Sequence, residues 1–96
     1  MNVAFDPKLI DYLKLREKAL KERDAKALYQ MAQIYASMKG KKNEKKAYEL
    51  YKSSATHGYA EAQFRMGMCN EKGIGVKQSI RMAITWYIRA EISAAS

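Results

Sequence analysis

His57 and Cys69 are the only histidine and the only cysteine in the 96 residues, so a Cys–His nucleophile or a Cys/His metal site could draw on these two alone. His57 stands one residue before Gly58, where a helix C-terminus is expected and a cation favours the helix dipole. A general base also needs a nucleophile and an orienting acid, and the surrounding sequence offers neither. Cys69 lies beside Met66 and Met68 on an apolar helix face. A reactive thiolate needs a local electropositive cue, so packing is its expected role. One Cys with one His cannot make a zinc site of the usual four-ligand kind. Gly73-Ile74-Gly75-Val76 is too short for a dinucleotide fingerprint and follows an expected helix rather than a strand. No phosphate-binding loop occurs. The expectation is a non-enzyme without catalytic residues, cofactor or metal.

Charge is the other chemical resource. Lys and Arg number 18 against 10 Asp and Glu, a net charge of +8. Nucleic acid, an anionic membrane surface and an acidic protein all suit such a charge, as does simple solubility. Five lysines cluster at Lys39, Lys41, Lys42, Lys45 and Lys46, interrupted only by Glu44 among the charges. They read as an anion-binding patch for phosphate or an acidic protein, or as a solvated loop. No aromatic residue interleaves with them, so stacking on bases is not indicated. With 48% hydrophobic and 29% charged residues the chain has the balance of one small globular domain. A single Cys excludes an intrachain disulfide and favours a reducing compartment. No apolar run reaches the roughly 18–20 residues of a membrane span. Met1 to Pro7 lacks the pattern of a signal peptide, so the cytoplasm is expected.

The elements that must position these groups are visible as a repeat. Ala25-Lys26-Ala27-Leu28-Tyr29-Gln30-Met31-Ala32 is echoed 35 residues on by Ala60-Glu61-Ala62-Gln63-Phe64-Arg65-Met66-Gly67. Ala47-Tyr48-Glu49-Leu50-Tyr51 is echoed 36 residues on by Ala83-Ile84-Thr85-Trp86-Tyr87, and Gly40 and Gly75 fall in the loop of each copy. A period of about 34–36 residues marks a helical solenoid. Asp6-Pro7 starts a helix that runs to about residue 23, by cap and first-turn preference. Leu9, Ile10, Leu13 and Leu20 supply its apolar spacing, with Ala19 and Leu15. Asp24, Asn43 and Ser79 are expected to cap helices over about 25–38, 44–57 and 80–93, with another over about 59–72. Gly58 and Gly73 are expected to end the helices before them. Five antiparallel helices and no strand follow, an all-α helical-repeat solenoid. Ala32 and Gly67 sit mid-helix, where a glycine costs about 1 kcal/mol and so implies close approach of a neighbour. Tyr29, Tyr51, Phe64, Trp86 and Tyr87 are the large knobs between helices.

Residues 59–93 resemble a Sel1-like repeat, a relative of the tetratricopeptide repeat. The resemblance rests on Ala60-Glu61-Ala62-Gln63-Phe64, Met66-Gly67, Gly73-Ile74-Gly75-Val76, Ala83, Trp86-Tyr87 and Ala90. Residues 24–58 resemble a degraded second copy with Lys39-Gly40-Lys41-Lys42 in place of Gly-x-Gly-Val and Leu50 in place of Trp. Residues 6–23 resemble the second helix of a half repeat, with Leu15 at the Trp position and Ala19-Leu20 at the small-residue pair.

The resemblance implies a concave surface lined by the first helix of each unit. Its outward residues are Lys26, Gln30, Gln33 and Ser37, then Glu61, Arg65, Met68 and Lys72. They make a mixed polar groove for a peptide or protein, unless two repeats are too few and the loops bind instead. In the last helix Ile80, Ile84, Ile88 and Ile92 recur every four residues. Ile88 and Ile92 stand where the family shows polar residues, so they belong either to the core or to an edge covered by a partner or a second copy. The expected function is non-catalytic protein–protein interaction by a bacterial, cytoplasmic adaptor or inhibitor/immunity-type protein, its partner possible in acidic form and a homodimer through the last helix included. The alternatives are a basic nucleic-acid-associated module and a fragment of a longer repeat scaffold.

Overall fold

The computed structural model describes residues 7–96, without the side chains of Pro7, Tyr12, Arg16 and Ala19; the expected cap Asp6 lies outside the described residues. Among the described residues four helices follow one another: α1 (Pro7–Ser37), α2 (Lys41–Thr56), α3 (Ala60–Lys72) and α4 (Ile80–Ala95). Each packs on the next through the turns at 38–40, 57–59 and 73–79. No strand occurs among the described residues.

The fifth helix is absent because α1 does not break at Asp24. Residues 21–27 read Lys-Glu-Arg-Asp-Ala-Lys-Ala, without Gly or Pro. Capping there would exchange several backbone hydrogen bonds for one side-chain bond, and the surrounding residues are good helix formers. The exposed pairs Glu17–Lys21 at 3.4 Å and Lys18–Glu22 at 4.0 Å add only a few tenths of a kcal/mol each. Thirty-one residues give α1 a length of about 46 Å, whereas α2 spans about 24 Å. Much of α1 therefore projects beyond its neighbour. The expected core residues Leu9, Leu13, Leu15 and Leu20 are all exposed for that reason. The molecule is elongated, 60 × 25 × 16 Å, with a radius of gyration of 16.9 Å. A compact chain of this length has about 12–13 Å.

Asn43 is not a cap either. α2 begins at Lys41 after Gly40, and the Asn43 side chain, already helical, donates from Nδ2 to Lys39 O at 3.0 Å. The other helix ends are as the sequence indicates. Ser79 Oγ accepts from Met82 N at 3.2 Å. Gly73 closes α3 in the left-handed conformation at φ 69°, and Ile74 N donates to Cys69 O at 2.9 Å.

Small residues set the helix spacing. Ala32, Ala47, Ala55 and Ala62 are buried with Tyr51, Met66, Cys69 and Trp86 in one cluster. A Cβ on Gly67 would fall 2.5 Å from the Tyr87 ring, so the glycine is what admits the tyrosine. Gly75, at φ 71°, lies so close to Glu44 O and Tyr48 Cβ that its loop sits directly on the start of α2. Two buried side chains tie neighbours together. Ser54 Oγ donates to Ala25 O, and Gln63 Nε2 donates to Ala55 O at 3.1 Å.

Candidate protein-interaction surface

The groove nearest the expected concave face is formed where α1 ends. Ser37, Met38 and Lys39 make one wall, and Arg65, Met68 and Lys72 of α3 make the other, with Ile74 at one end. Glu44, Ala47 and Tyr51 of α2 form the floor. The open volume is about 370 Å3. Lys39, Arg65 and Lys72 face a single carboxylate, Glu44, so the groove is cationic with soft apolar residues between the charges. Arg65 is held in place: its Nε donates to Tyr29 OH at 3.4 Å, and a guanidinium nitrogen lies 3.9 Å from Met68 Sδ. The Tyr29 hydroxyl raises the Arg65 pKa further, so its charge is permanent.

The eight expected face residues divide. Ser37, Arg65, Met68 and Lys72 come together in this groove. Gln33 instead donates to Tyr29 OH at 3.3 Å. Lys26 and Gln30 are exposed but do not line it, and Glu61 lies at a separate recess. The lysine cluster divides as well. Lys39 joins the groove, while Lys42, Lys45 and Lys46 line a shallower one with Tyr35, Asn43 and Glu49. Lys41 is exposed beside them. Tyr35 is thus an aromatic neighbour of these lysines that linear order hides, because it comes from α1 across the turn. Met38, Glu44 and Ile74 were not expected at the groove; all three are close to the loop glycines Gly40 and Gly75, the one signal that brings them near it.

A second recess lies between α3 and α4. Phe64, Tyr87, Ala90 and Ala94 line it together with Tyr29 of α1, Ala60, Glu61, Arg65 and Glu91, and its open volume is about 700 Å3. Phe64 and Tyr87 pack with ring centroids 5.4 Å apart, and Tyr87 OH donates to Glu71 Oε1 at 3.3 Å.

Burial pushes the Cys69 thiol up from its usual pKa, against the opposing pull of Arg65, so at neutral pH it is a protonated packing group. His57 is exposed, its Nδ1 2.7 Å from Ser53 O in the last turn of α2, the contact of an N–H donor. Among the described residues no group of three or more His, Cys, Asp and Glu is placed to hold a metal ion. No helix of the described residues is long and apolar enough to cross a membrane. On α4 the core takes Ala83, Trp86 and Ala90. Ile80, Ile84, Ile88 and Ile92 are 53%, 54%, 52% and 63% exposed, so they are not packed as core among the described residues.

The Sel1 repeat profile matches residues 25–59 and again residues 60–91. These are the two helical pairs just described, the C-terminal half of α1 with α2, and α3 with α4. The chain belongs to the Sel1 repeat family. This Sel1 repeat chain is 37% identical over 81 residues to Chitin synthase regulatory factor 3 of Schizosaccharomyces pombe, covering 77% of the chain and 9% of that protein. It is 37% identical over 68 residues to Chitin synthase regulatory factor 2 of the same yeast, 69% of the chain and 13% of that protein. To Chitin synthase regulator SKT5 of Saccharomyces cerevisiae it is 30% identical over 90 residues, 88% of the chain and 13% of that protein. The chain therefore spans only about a tenth of the length of these relatives. Sel1 repeats and relatives named as regulators point to a protein-interaction or regulatory role. The expectation of a bacterial source has no support in these relatives, which are fungal.

Proposed function

We propose that this Sel1 repeat segment is a non-catalytic adaptor that holds a partner polypeptide in the groove between the end of α1 and α3. The observation that carries the reading is the convergence of Lys39, Arg65 and Lys72 around Met38, Met68 and Ile74. Such a surface favours an acidic stretch of chain with one apolar anchor: the charges steer the encounter and the methionines adapt to the anchor. By the names of its relatives, the first partner to test is a chitin synthase. The test is an anisotropy titration of a labelled Asp/Glu-rich peptide carrying one leucine. Wild type binds it, salt weakens the binding, and the triple charge reversal Lys39→Glu, Arg65→Glu, Lys72→Glu removes it. Equal binding by the folded triple variant refutes the reading.

The exposed isoleucines favour a second contact, a homodimer through α4 at Ile88 and Ile92. Lys52 and Thr56, their counterparts 36 residues earlier, remain exposed although α3 stacks on α2. One more repeat stacked on α4 would by that template leave Ile88 and Ile92 bare, so a longer array does not account for them. Sedimentation decides this: the dimer population rises with salt as the +8 charges are screened, and Ile88→Lys with Ile92→Glu gives a monomer. A wild-type monomer at high protein and salt concentration removes the dimer. A cytoplasmic setting belongs to the same proposal.

A further inference from the structure

The first repeat is a template for the second. Tyr29 of α1 packs on Tyr51 of α2 with centroids 5.6 Å apart and planes inclined at 55°. Their counterparts, Phe64 of α3 and Tyr87 of α4, pack at 5.4 Å and 49°. In the first repeat a third ring completes the group. Tyr59, the last residue of the α2–α3 turn, lies 5.3 Å from Tyr29 at 52°. Among the described side chains no third ring packs on Phe64 or Tyr87. At the same 35- and 36-residue offsets from Tyr59 stand Ala94 and Ala95, and α4 continues through them where α2 has already ended at Thr56.

The recess lined by Phe64, Tyr87, Ala90 and Ala94, and also by Tyr29 and Ala60, opens beside this ring pair and reaches Ala94, one of the two positions that correspond to Tyr59. Its effect on exposure is direct: Phe64 is 50% exposed, whereas Tyr29 in the closed group is only partly so. The charged lining is Glu91, Glu61, whose carboxylate also accepts from the Tyr59 hydroxyl, and one cation, Arg65, whose guanidinium is engaged by Tyr29 OH and Met68 Sδ. This corner of a strongly basic chain is therefore locally acidic.

We propose that the Phe64–Tyr87 recess is a binding site for a tyrosine side chain of a partner polypeptide, carried next to a lysine or arginine that meets Glu61 and Glu91. The tyrosine is specified by the template, in which Tyr59 fills the equivalent place from the start of a helix and stacks obliquely on the ring of the first helix. The basic neighbour is specified by the two carboxylates. The site is distinct from the cationic groove beyond Arg65 and goes beyond the function proposed above, since it selects a partner segment of opposite charge.

The test uses a fluorescein-labelled helical peptide with one Tyr preceded by Lys, titrated against the full chain by anisotropy. The peptide binds, and its Tyr→Ala version binds about tenfold more weakly, the loss of one well-packed ring. Ala94→Tyr in the protein supplies the ring from α4 itself; it raises the melting temperature and blocks the peptide. The groove variant Lys39→Glu with Lys72→Glu leaves this binding intact. The proposal is overturned if the Tyr→Ala peptide binds as well as its parent, or if Ala94→Tyr binds the peptide unchanged. It is also overturned if N-acetyltyrosinamide binds as tightly as the peptide, which would make the ligand a free aromatic molecule. If Ala94→Tyr abolishes self-association, a second copy and not a partner owns the recess.

Discussion

Gly67→Ala pits a local gain against a tertiary loss, and the structure says which wins. In an isolated helix the change stabilises by about 1 kcal/mol, because alanine loses less backbone entropy. In the folded chain the new Cβ meets Tyr87 Cδ1 and Cε1 at 2.5 Å and Cζ at 2.9 Å. These are ring atoms close to a backbone anchor, not the end of a flexible chain. Moving the ring disturbs its packing on Phe64 at 5.4 Å and its hydroxyl bond to Glu71 at 3.3 Å. Overpacking of this kind costs about 1–3 kcal/mol, and the disturbed ring pair adds about 0.5–1.5 kcal/mol. After the helix gain is subtracted, a net loss of about 0.5–3.5 kcal/mol remains. That corresponds to a fall in melting temperature on the order of 2–25 °C for a chain of this size. Circular dichroism melts of four proteins test it as a cycle. In the Tyr87→Ala background the clash is gone, so adding Gly67→Ala stabilises by about 1 kcal/mol. A higher melting temperature for the single variant Gly67→Ala would show that the helices do not approach as described and refute the argument.

Three further outcomes follow from the geometry. The Tyr59 hydroxyl is pushed up to about 12, first by its hydrogen bond to Glu61 and then by burial, from an ordinary value of 10.0. Between these values the unfolded chain has released a proton that the folded chain keeps, so stability holds below about pH 10 and falls as pH rises towards 12. Urea midpoints across that window should fall less steeply for Tyr59→Phe. Cys69 is buried to 9% exposure with its thiol pushed up, so a thiol reagent at pH 8 should react much more slowly with native than with unfolded protein; equal rates would contradict its placement. Lys41 and Lys42 stand in the first turn of α2, where positive charge opposes the helix dipole. Replacing both with Glu should leave the helical spectrum unchanged and stabilise by about 0.3–1 kcal/mol per site at low salt, an effect that added salt removes.

The sequence by itself determined the all-α repeat and most of its punctuation. The pairing of Ala-x-Ala-x-aromatic blocks at 35 residues and of Ala-x-x-x-Tyr blocks at 36 is a local pattern, and so are the stops at Gly58 and Gly73 and the Ser79 cap, each satisfied within a few residues of backbone. The close approach at Gly67 was also legible, since a mid-helix glycine has a cost that only a neighbour explains. Tertiary structure decided what no local rule contains. Whether Asp24 starts a helix depended on a competition that the helix formers on either side of it won, and Leu9, Leu13, Leu15 and Leu20 are exposed because no described helix covers them, not because their spacing is wrong. Of the eight expected face residues only Ser37, Arg65, Met68 and Lys72 share a groove, and Lys39 leaves its lysine neighbours to join them. The vacant third-ring position beside Phe64 and Tyr87 is of the same kind. Periodicity states which face of a helix is apolar, but what covers that face is a relation between distant segments, and only their packing sets it.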